Sequence, residues 1–226
     1  MFKAPNYQRW LAAAAIPHLG QRVLEIGAGL GYMTERIADG RVVTALDIRS
    51  GHVDVLRARF AGWPSVEPLE GDITDPELMR RMADRRFDSA VSFNVFEHIE
   101  DDVRAFENVY RLLLPGSRFV CLVPAFRALY GPHDAAIGHV RRYSRRELRR
   151  KATAAGFDVV DLRLINSIGF FAWFLNGTVF RSSGFAGGER LLGLYDRLVI
   201  PMTSFREKHW RPPFGQSLLL VGQRRA

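Results

Sequence analysis

The sequence has little cysteine and no long apolar run, and both shortages limit the kind of protein it can be. One cysteine, Cys121, occurs among 226 residues, so a disulfide bond within the chain is excluded. It lies in an apolar run, residues 118–124, which favours a buried structural thiol over a nucleophile. The longest other run, residues 168–175, is shorter than the roughly 20 residues of a membrane-spanning helix. Residues 1–10 lack the apolar stretch of a secretory signal, so we expect a cytoplasmic protein.

Acidic residues are fewer than basic ones. The sequence has 24 Asp and Glu against 32 Lys and Arg, a formal net charge of +8. Such a charge favours anionic partners only if it is concentrated on one face. The densest basic run, residues 141–151, is typical of a solvated helix face. Charge alone therefore does not identify a nucleic-acid-binding protein.

The pattern of apolar residues predicts a single α/β domain. From residue 23 to residue 123, short apolar runs alternate with amphipathic stretches of helical length, as in a parallel sheet covered by helices. The predicted strands are residues 22–26, 41–46, 66–69, 87–93 and 117–123. The predicted helices between them are residues 32–38, 52–60, 76–83 and 101–114. The chain of 226 residues is 47% apolar, which suits one core.

The second half continues the same pattern with one interruption. Ser144 and Glu147 form a capping-box signature that predicts a helix through Ala155. Two further strands are expected at residues 156–164 and 216–222. An aromatic-rich insertion at about 166–213 separates them and is expected to form a helical lid. We divide the domain into an N-terminal lid segment (1–20), a cofactor-binding half (21–125) and an acceptor half (126–226).

A glycine-rich loop lies where the first predicted strand ends. It reads Glu25-Ile-Gly-Ala-Gly-Leu-Gly31, and glycines at such a turn let the backbone approach a ligand closely. The dinucleotide pattern Gly-x-Gly-x-x-Gly requires glycine at position 32, which is Tyr32, so a nicotinamide or flavin cofactor is disfavoured. No Gly-Lys-Ser/Thr follows, which excludes the phosphate-binding loop of nucleoside triphosphatases.

Polar residues follow the next strands in order. Asp47 comes directly after the second strand, where a carboxylate can accept hydrogen bonds from both hydroxyls of a ribose. Asp72 and Ile73 follow the third strand, where they can meet the amine and the ring of an adenine. The fourth strand ends in Asn94-Val-Phe-Glu-His-Ile99. Because open α/β sheets bind ligands at the carboxyl ends of their strands, these residues predict one nucleoside site.

This ordered set resembles the class I S-adenosylmethionine-dependent methyltransferases over about residues 23–123. The resemblance implies a Rossmann-like, doubly wound sheet of seven strands, mostly parallel, whose last strand (216–222) is antiparallel. It also implies S-adenosyl-L-methionine as the cofactor. The implied cofactor contacts are Gly27, Gly29 and Gly31 at the methionine moiety, Asp47 at the ribose, Asp72 and Ile73 at the adenine, Asn94 near the reacting centre, and also Glu25, Ile48 and Val95. Leading segments in this fold often cover the cofactor, so Tyr7 is expected near its carboxylate.

The acceptor side is predicted from the chemistry of methyl transfer. An in-line displacement gains rate from holding the acceptor aligned and dry. A hydroxyl or ammonium acceptor must also lose a proton, for which histidine is the usual base. We therefore expect His98, His139 and Tyr143 to be catalytic, with capping or surface roles left open for the histidines.

Two neighbouring arginines have two interpretations. Arg141 and Arg142 can bind a carboxylate or phosphate on the acceptor through forked hydrogen bonds. Alternatively, they close the loop by pairing with Asp134 or Glu147. No metal ion is expected, since no cluster of Asp, Asn and His is evident at the ends of the fourth and fifth strands.

The acceptor itself is expected to be a small-molecule or lipid-linked metabolite, methylated on oxygen or nitrogen, with oxygen favoured. Residues 138–143 and 213–218 also resemble a subgroup of bacterial methyltransferases. The aromatic segment 165–176 is expected either to cover the acceptor or to pack in the core, and beside basic segments it could rest on a membrane surface. The alternatives are an RNA methyltransferase and a non-catalytic S-adenosylmethionine-binding module. Nucleic acid is disfavoured, because the Asn/Asp-Pro-Pro-Tyr/Phe motif of DNA amino-methylating enzymes is missing. The oligomeric state stays open, a homodimer included.

Overall fold

A seven-stranded sheet forms the centre of the molecule. The structure is a computed structural model that describes residues 4–173 and 188–226. The strands are β1 (Arg22–Ile26), β2 (Val42–Asp47), β3 (Val66–Glu70), β4 (Phe87–Phe93), β5 (Leu113–Pro124), β6 (Asp158–Ile165) and β7 (Ser217–Gln223). Their order is β3-β2-β1-β4-β5-β7-β6. The strands from β3 to β5 pair in parallel, and β7 runs antiparallel to both β5 and β6. The predicted fold class is confirmed.

Helices cover both faces of the sheet. They are α1 (Pro5–Ala15), α2 (Thr34–Ile37), α3 (Ser50–Arg59), α4 (Pro76–Met82), α5 (Asp102–Leu112), α6 (Pro132–Ala136), α7 (Arg145–Ala154), α8 (Ser167–Trp173), α9 (Gly188–Leu194) and α10 (Ile200–His209). Side chains of β5 alternate between two apolar clusters, with Phe119 and Cys121 in one and Val120 and Leu122 in the other. A strand buried on both faces reads as a continuous apolar run, which is why β5 lacks the polar alternation of a surface strand. Cys121 is fully buried, as predicted, and burial raises the pKa of its thiol.

The element boundaries follow local signals in most places. Ser144 precedes α7, and its hydroxyl accepts a hydrogen bond from the Glu147 amide at 3.1 Å, as the capping pattern predicts. The first helix after the glycine loop is shorter than expected, and β5 begins at Leu113 rather than at residue 117. The strand includes Pro115 and Gly116, and its pairing with β4 shifts register between Phe87 and Ser89.

The predicted insertion between β6 and β7 is helical where it is described. It contains α8, α9, a π-helical turn (Tyr195–Val199) and α10. Residues 174–187, which include part of the aromatic segment 165–176, lie outside the described residues. Asp196 accepts hydrogen bonds from the amides of Asn6 and Tyr7, so the insertion is joined to α1. Within the described ranges, no helix is both long and apolar enough to span a bilayer.

Candidate active site

A cavity of about 560 Å³ lies at the carboxyl ends of β1, β2, β3 and β4. Parallel strands end at the same edge, so residues from distant parts of the chain meet there. The residues that line it are Ile26, Gly27, Gly29, Leu46, Asp47, Ile48, Arg49, His52, Gly71, Asp72, Ile73, Thr74, Phe93, Asn94, Val95, His98, Ile99, Glu100 and Asp101. Eight of the predicted cofactor residues are in this set: Gly27, Gly29, Asp47, Ile48, Asp72, Ile73, Asn94 and Val95.

The glycine loop forms one wall of the cavity. Gly27, Gly29 and Gly31 have φ of +74°, +58° and +81°, a region that favours glycine. A Cβ atom at Gly27 would collide with Val95. At Gly29 such an atom would meet no other atom of the described chain within 4 Å, so the backbone faces open space. The loop therefore exposes its backbone to whatever occupies the cavity.

Gly31 has a different role from its two neighbours. It does not line the cavity, and a Cβ there would collide with Phe60 and Leu56. The helix α3 thus packs directly on the backbone of this residue. The prediction that all three glycines face the cofactor is corrected: Gly31 provides room for a helix.

Asp47 connects the end of β2 to the glycine loop. Its Oδ2 accepts a hydrogen bond from the Gly29 amide at 2.8 Å, and its Oδ1 accepts one from the Arg49 amide at 3.0 Å. Nδ1 of His52 lies 3.2 Å from the same Oδ1. Each carboxylate oxygen has two lone pairs, so Oδ2 keeps acceptor capacity toward the cavity. This geometry suits the carboxylate that a ribose diol requires.

The wall opposite the glycine loop comes from the end of β3. Oδ1 of Asp72 accepts hydrogen bonds from the amide and the hydroxyl of Thr74, both at 2.8 Å, which fixes the carboxylate at the rim. Ile73 is 3% exposed and lines the same wall. A fixed carboxylate beside an apolar surface can receive a ring that carries an amino group. Asn94 closes the far end of the cavity at φ +54°, a left-handed conformation that asparagine tolerates.

Glu25 and Tyr7 lie elsewhere than predicted. Glu25 is fully buried beneath the loop, accepts a hydrogen bond from the Thr34 hydroxyl at 2.6 Å and does not line the cavity. Burial raises the pKa of Glu25 to about 8. The phenol of Tyr7 hydrogen-bonds to Ser217, where β7 begins, and burial raises the pKa of Tyr7 to about 12. Both side chains support the site from outside the cavity lining, which corrects their expected position.

Three ionisable side chains meet just beyond Asn94. His98 lines the cavity, and its ring lies 4.7 Å from that of His139, between centroids. Nε2 of His139 is 3.7 Å from Oε1 of Glu97, whose side chain is completely buried. Burial raises the pKa of Glu97 to about 8 and lowers that of His98. The fold thus brings together the two histidines predicted as catalytic. It places Glu97 beside them, for which the sequence predicted no role.

Tyr143 is not an acceptor-contacting residue, which corrects the prediction. It is fully buried, and its hydroxyl donates to the Asp102 carboxylate, with the Phe96 carbonyl oxygen 3.0 Å away. Burial and the Asp102 charge raise its pKa far above the usual range. Lys151 also contacts this carboxylate, and the whole group holds α7 against α5.

The two arginines before Tyr143 are used inside the protein. Arg142 is buried and pairs with Asp134, with Nε and Oδ1 2.9 Å apart. Arg141 pairs with Asp102, with Nη1 and Oδ1 2.8 Å apart. Of the two interpretations, loop closure is therefore the observed one, with Asp134 as the predicted partner of Arg142 and Asp102 as an unpredicted partner of Arg141.

Comparison with known proteins agrees with this geometry. The sequence profile of the methyltransferase domain family matches residues 24–121, the part of the chain that builds the cavity. In these residues the chain is similar to the class I S-adenosylmethionine-dependent methyltransferases. This family and its fold imply S-adenosylmethionine as the cofactor.

The relatives of this chain include several bacterial methyltransferases. A probable S-adenosylmethionine-dependent methyltransferase of Mycolicibacterium smegmatis is 34% identical over 146 residues, 63% of this chain and 54% of the relative. A demethylmenaquinone methyltransferase of Clavibacter sepedonicus is 32% identical over 51% of this chain and 47% of the relative. A ubiquinone biosynthesis O-methyltransferase of Paracidovorax citrulli is 29% identical over 47% and 44%. The chain thus spans about half the length of the curated relatives it matches.

Solved structures share the fold over nearly the whole chain. A putative sarcosine dimethylglycine methyltransferase from Galdieria sulphuraria has a TM-score of 0.66 at 14% identity, covering 100% of this chain and 92% of that one. The [4+2]-cyclase SpnF has a TM-score of 0.65 at 20% identity, covering 98% and 81%. These likenesses show the fold alone. The name of the cyclase illustrates that one fold can serve different reactions.

The residues of the cavity fit the implied cofactor. An adenosyl group needs acceptors for its ribose hydroxyls and its amine, which Asp47 and Asp72 offer on opposite walls. The amino-acid part needs room beside the backbone, which Gly29 provides. A volume of about 560 Å³ is also within the usual range for a small-molecule site.

Proposed function

We propose that this protein transfers the methyl group of S-adenosylmethionine to an oxygen of a small-molecule or lipid-linked metabolite, with nitrogen as the alternative acceptor atom. The observation that carries the proposal is one continuous cavity, which is lined both by the predicted cofactor residues and by His98. Relatives named for menaquinone and ubiquinone methylation support an acceptor of this class.

The cofactor, when bound, supplies an electrophilic methyl group on a sulfonium. The chain's own contribution is alignment and exclusion of water, which are large factors in an in-line displacement. Asp47 and Asp72 fix the adenosyl end, and the loop at Gly27 and Gly29 admits the amino-acid end without a side chain in the way. Asn94 and His98 line the cavity at the end of β4, where they would meet the acceptor.

His98 is suited to contact an acceptor hydroxyl. Its Nδ1 lies 3.0 Å from the Gly138 carbonyl oxygen, which can only accept, so Nδ1 carries the hydrogen. The neutral ring then has a lone pair on Nε2. Burial lowers the pKa of His98, which keeps the ring neutral at pH 7 and able to receive a hydrogen bond or a proton from the acceptor.

Calorimetric titration of the full chain with S-adenosylmethionine tests the cofactor part of this proposal. We expect micromolar binding to the wild type and to Asp54→Ala, an exposed aspartate of α3 that serves as the matched control. Asp47→Ala should weaken binding at least about tenfold, since one lost charge-assisted hydrogen bond is worth roughly 1.5–3 kcal/mol. NAD should not bind. Absence of S-adenosylmethionine binding to a folded wild type would overturn the proposal.

A product assay tests the acceptor part. Protein that binds the cofactor is mixed with phenolic, quinol and amine acceptors, and both the methylated product and S-adenosylhomocysteine are measured by mass spectrometry. Methyl transfer to a hydroxyl acceptor supports the proposal. Cofactor binding without any methylated product, on these acceptors or on RNA, would instead favour the non-catalytic binding module.

A further inference from the structure

The carboxyl group of Glu97 is completely buried and receives no hydrogen bond from another described residue. Its side chain is 0% exposed, and neither oxygen has a hydrogen-bond partner from another described residue. Buried polar groups in native proteins nearly always have such a partner, so an exception requires an explanation. A buried carboxylate is commonly paired with a cation or coordinated to a metal ion.

Each of the two neighbouring histidines keeps one nitrogen without a hydrogen. Nδ1 of His139 lies 2.8 Å from Oδ1 of the buried Asp134, so it donates its hydrogen there. This leaves Nε2 of His139 as a lone-pair donor, 3.7 Å from Oε1 of Glu97. Nδ1 of His98 is likewise held by the Gly138 carbonyl oxygen. A carboxylate or a carbonyl that fixes the far nitrogen is the usual arrangement around metal-binding histidines.

We propose that Glu97, His98 and His139 bind a divalent transition-metal cation at the acceptor end of the cavity. One ligand atom from each of the three residues lies within 4.8 Å of the others. Zinc bonds of about 2.0–2.2 Å place tetrahedral ligands roughly 3.4 Å apart, so binding needs only a small contraction of the cluster. The structure therefore corrects the reason for expecting no metal: a suitable cluster exists, with glutamate in place of aspartate and asparagine.

The donor set indicates which metals suit the site. Two imidazoles and one carboxylate are typical ligands of zinc and of iron(II), whereas magnesium and calcium prefer oxygen ligands alone. Three protein ligands also leave at least one coordination position open, as in catalytic zinc sites. His98 lines the cavity, so the open position faces the space where an acceptor would lie.

The surrounding charges favour a cation. Glu97 and Asp134 are both completely buried, and the buried Arg142 pairs with Asp134. Arg49 acts on His98 from the cavity side but is itself exposed. Once Glu97 has lost its proton, Arg142 balances only one of the two buried carboxylates, which leaves one negative charge for a cation. The role of the cation, though not its presence, rests on the proposed methyl transfer. With the Nε2 lone pair of His98 bound to the cation, the cation in place of His98 would bind the acceptor hydroxyl, whose proton then passes to water.

Zinc titration of the full chain in the absence of cofactor tests the inference. We expect one Zn²⁺ per chain in competition with a chromophoric chelator, and no displacement by a hundredfold excess of Mg²⁺. His98→Gln, His139→Gln and Glu97→Gln should each weaken zinc binding at least about tenfold, the range seen when even an outer partner of a metal site is lost. His209→Gln, which changes an exposed histidine of α10, is the matched control and should bind zinc as the wild type does.

The zinc absorption edge gives an independent measurement of the ligands. The spectrum of the wild type should indicate two imidazole ligands and no sulfur ligand around the zinc ion. The spectrum of His98→Gln should indicate one imidazole ligand fewer. This variant changes a side chain exposed to solvent, so it keeps the test valid even if Glu97→Gln fails to fold. No zinc binding, or equal binding by wild type and all three ligand variants, would overturn the inference.

Calorimetric titration of the same variants with S-adenosylmethionine separates the two proposals. We expect His98→Gln and His139→Gln to bind the cofactor within threefold of the wild type. Loss of zinc binding with intact cofactor binding would show that the metal ligands are not required for cofactor binding. A wild type that binds zinc through these residues but no cofactor would refute the proposed function and leave the metal site standing.

Discussion

The cofactor wall and the acceptor end of the same sheet edge are built from different kinds of groups. The cofactor wall uses backbone amides, glycines and short carboxylates placed directly at the ends of β1, β2 and β3. The acceptor end depends on side chains of loops, held by contacts such as the Asp134–Arg142 pair and the His98–Gly138 hydrogen bond. The sheet sets the positions of groups at the strand ends, whereas groups on loops are held in position by additional contacts between side chains and backbone.

Two buried glutamates show the same difference at the level of single residues. Glu25, below the glycine loop, accepts a hydrogen bond from the Thr34 hydroxyl, and Glu97, at the acceptor end, has no partner from another described residue. Burial raises the pKa of each to about 8. The Glu25 carboxyl has a hydrogen-bond partner within the fold, whereas the Glu97 carboxyl remains available to a ligand.

The largest expected effect concerns the fastening of the acceptor half. Asp102→Ala removes the shared partner of Tyr143, Arg141 and the buried Lys151. We expect a loss of about 3–5 kcal/mol in the free energy of unfolding, because a buried ion pair is broken and Lys151 keeps only Glu147 as its partner. Urea unfolding followed by circular dichroism measures it. Glu107→Ala on the same helix, a half-exposed residue, should change stability by less than about 0.5 kcal/mol. Equal stability of both variants would contradict this account.

The second effect is a pH dependence on the cofactor side. Burial raises the pKa of Glu25 to about 8 in the folded state, against an ordinary value of 4.5 for glutamate. Between these values the unfolded chain has lost the proton and the folded chain keeps it, so Glu25 makes unfolding easier as pH rises from about 5 to 8. Glu25→Gln removes this contribution and should gain a few kcal/mol over the wild type at pH 8, but little at pH 5.

The control for this prediction is Glu35→Gln, which changes a half-exposed glutamate of α2. Its stability should stay parallel to that of the wild type from pH 5 to pH 8. Parallel curves for Glu25→Gln as well would show that Glu25 does not titrate in this range.

A third effect separates packing from ligand contact within the glycine loop. Gly31→Ala should lower the free energy of unfolding by about 1–3 kcal/mol, because a Cβ at φ +81° meets Phe60 and Leu56. Gly51→Ala, in the first turn of α3 with open space around it, should be neutral or stabilising by about 0.5–1 kcal/mol. Thermal unfolding of both variants gives the comparison. A Gly31→Ala variant as stable as the wild type would mean that α3 can move away at no cost.

The smallest effect is at the start of α7, in the acceptor half. Ser144→Ala removes the side chain that caps this helix and should cost about 1 kcal/mol, measured by urea unfolding. Ser144→Asp, which retains a capping oxygen, should keep most of the stability. Equal losses in both variants would show that the hydrogen bond to Glu147 is not the relevant interaction.

The cofactor wall could be predicted because its signals are local. Asp47 and Asp72 each follow an apolar run, and the geometry of a parallel sheet brings such positions to one edge. The prediction failed where a residue's environment is set by a distant packing partner. Gly31 meets α3 and Glu25 meets Thr34, and neither contact is visible in the spacing of the loop.

The acceptor end could be predicted only in part. His98 and His139 were selected for their chemistry, but the contact between His98 and Gly138 joins residues 40 positions apart. Tyr143 belongs to the same polar loop and looks equally reactive in sequence, although its hydroxyl is taken up by Asp102. Residue type indicates what a side chain can do, and only the packing of α7 against α5 decides which side chains remain free to do it.

The position of β7 has a consequence for how the chain assembles. This strand lies between β5 and β6 and is antiparallel to both, so β6 joins the sheet through a segment that comes about fifty positions later. During synthesis the ribosome delivers β6 and the helical insertion before β7, and that edge of the sheet stays open until β7 arrives. The acceptor half therefore completes its folding after the cofactor half, and during that interval β6 is an unpaired strand exposed to aggregation.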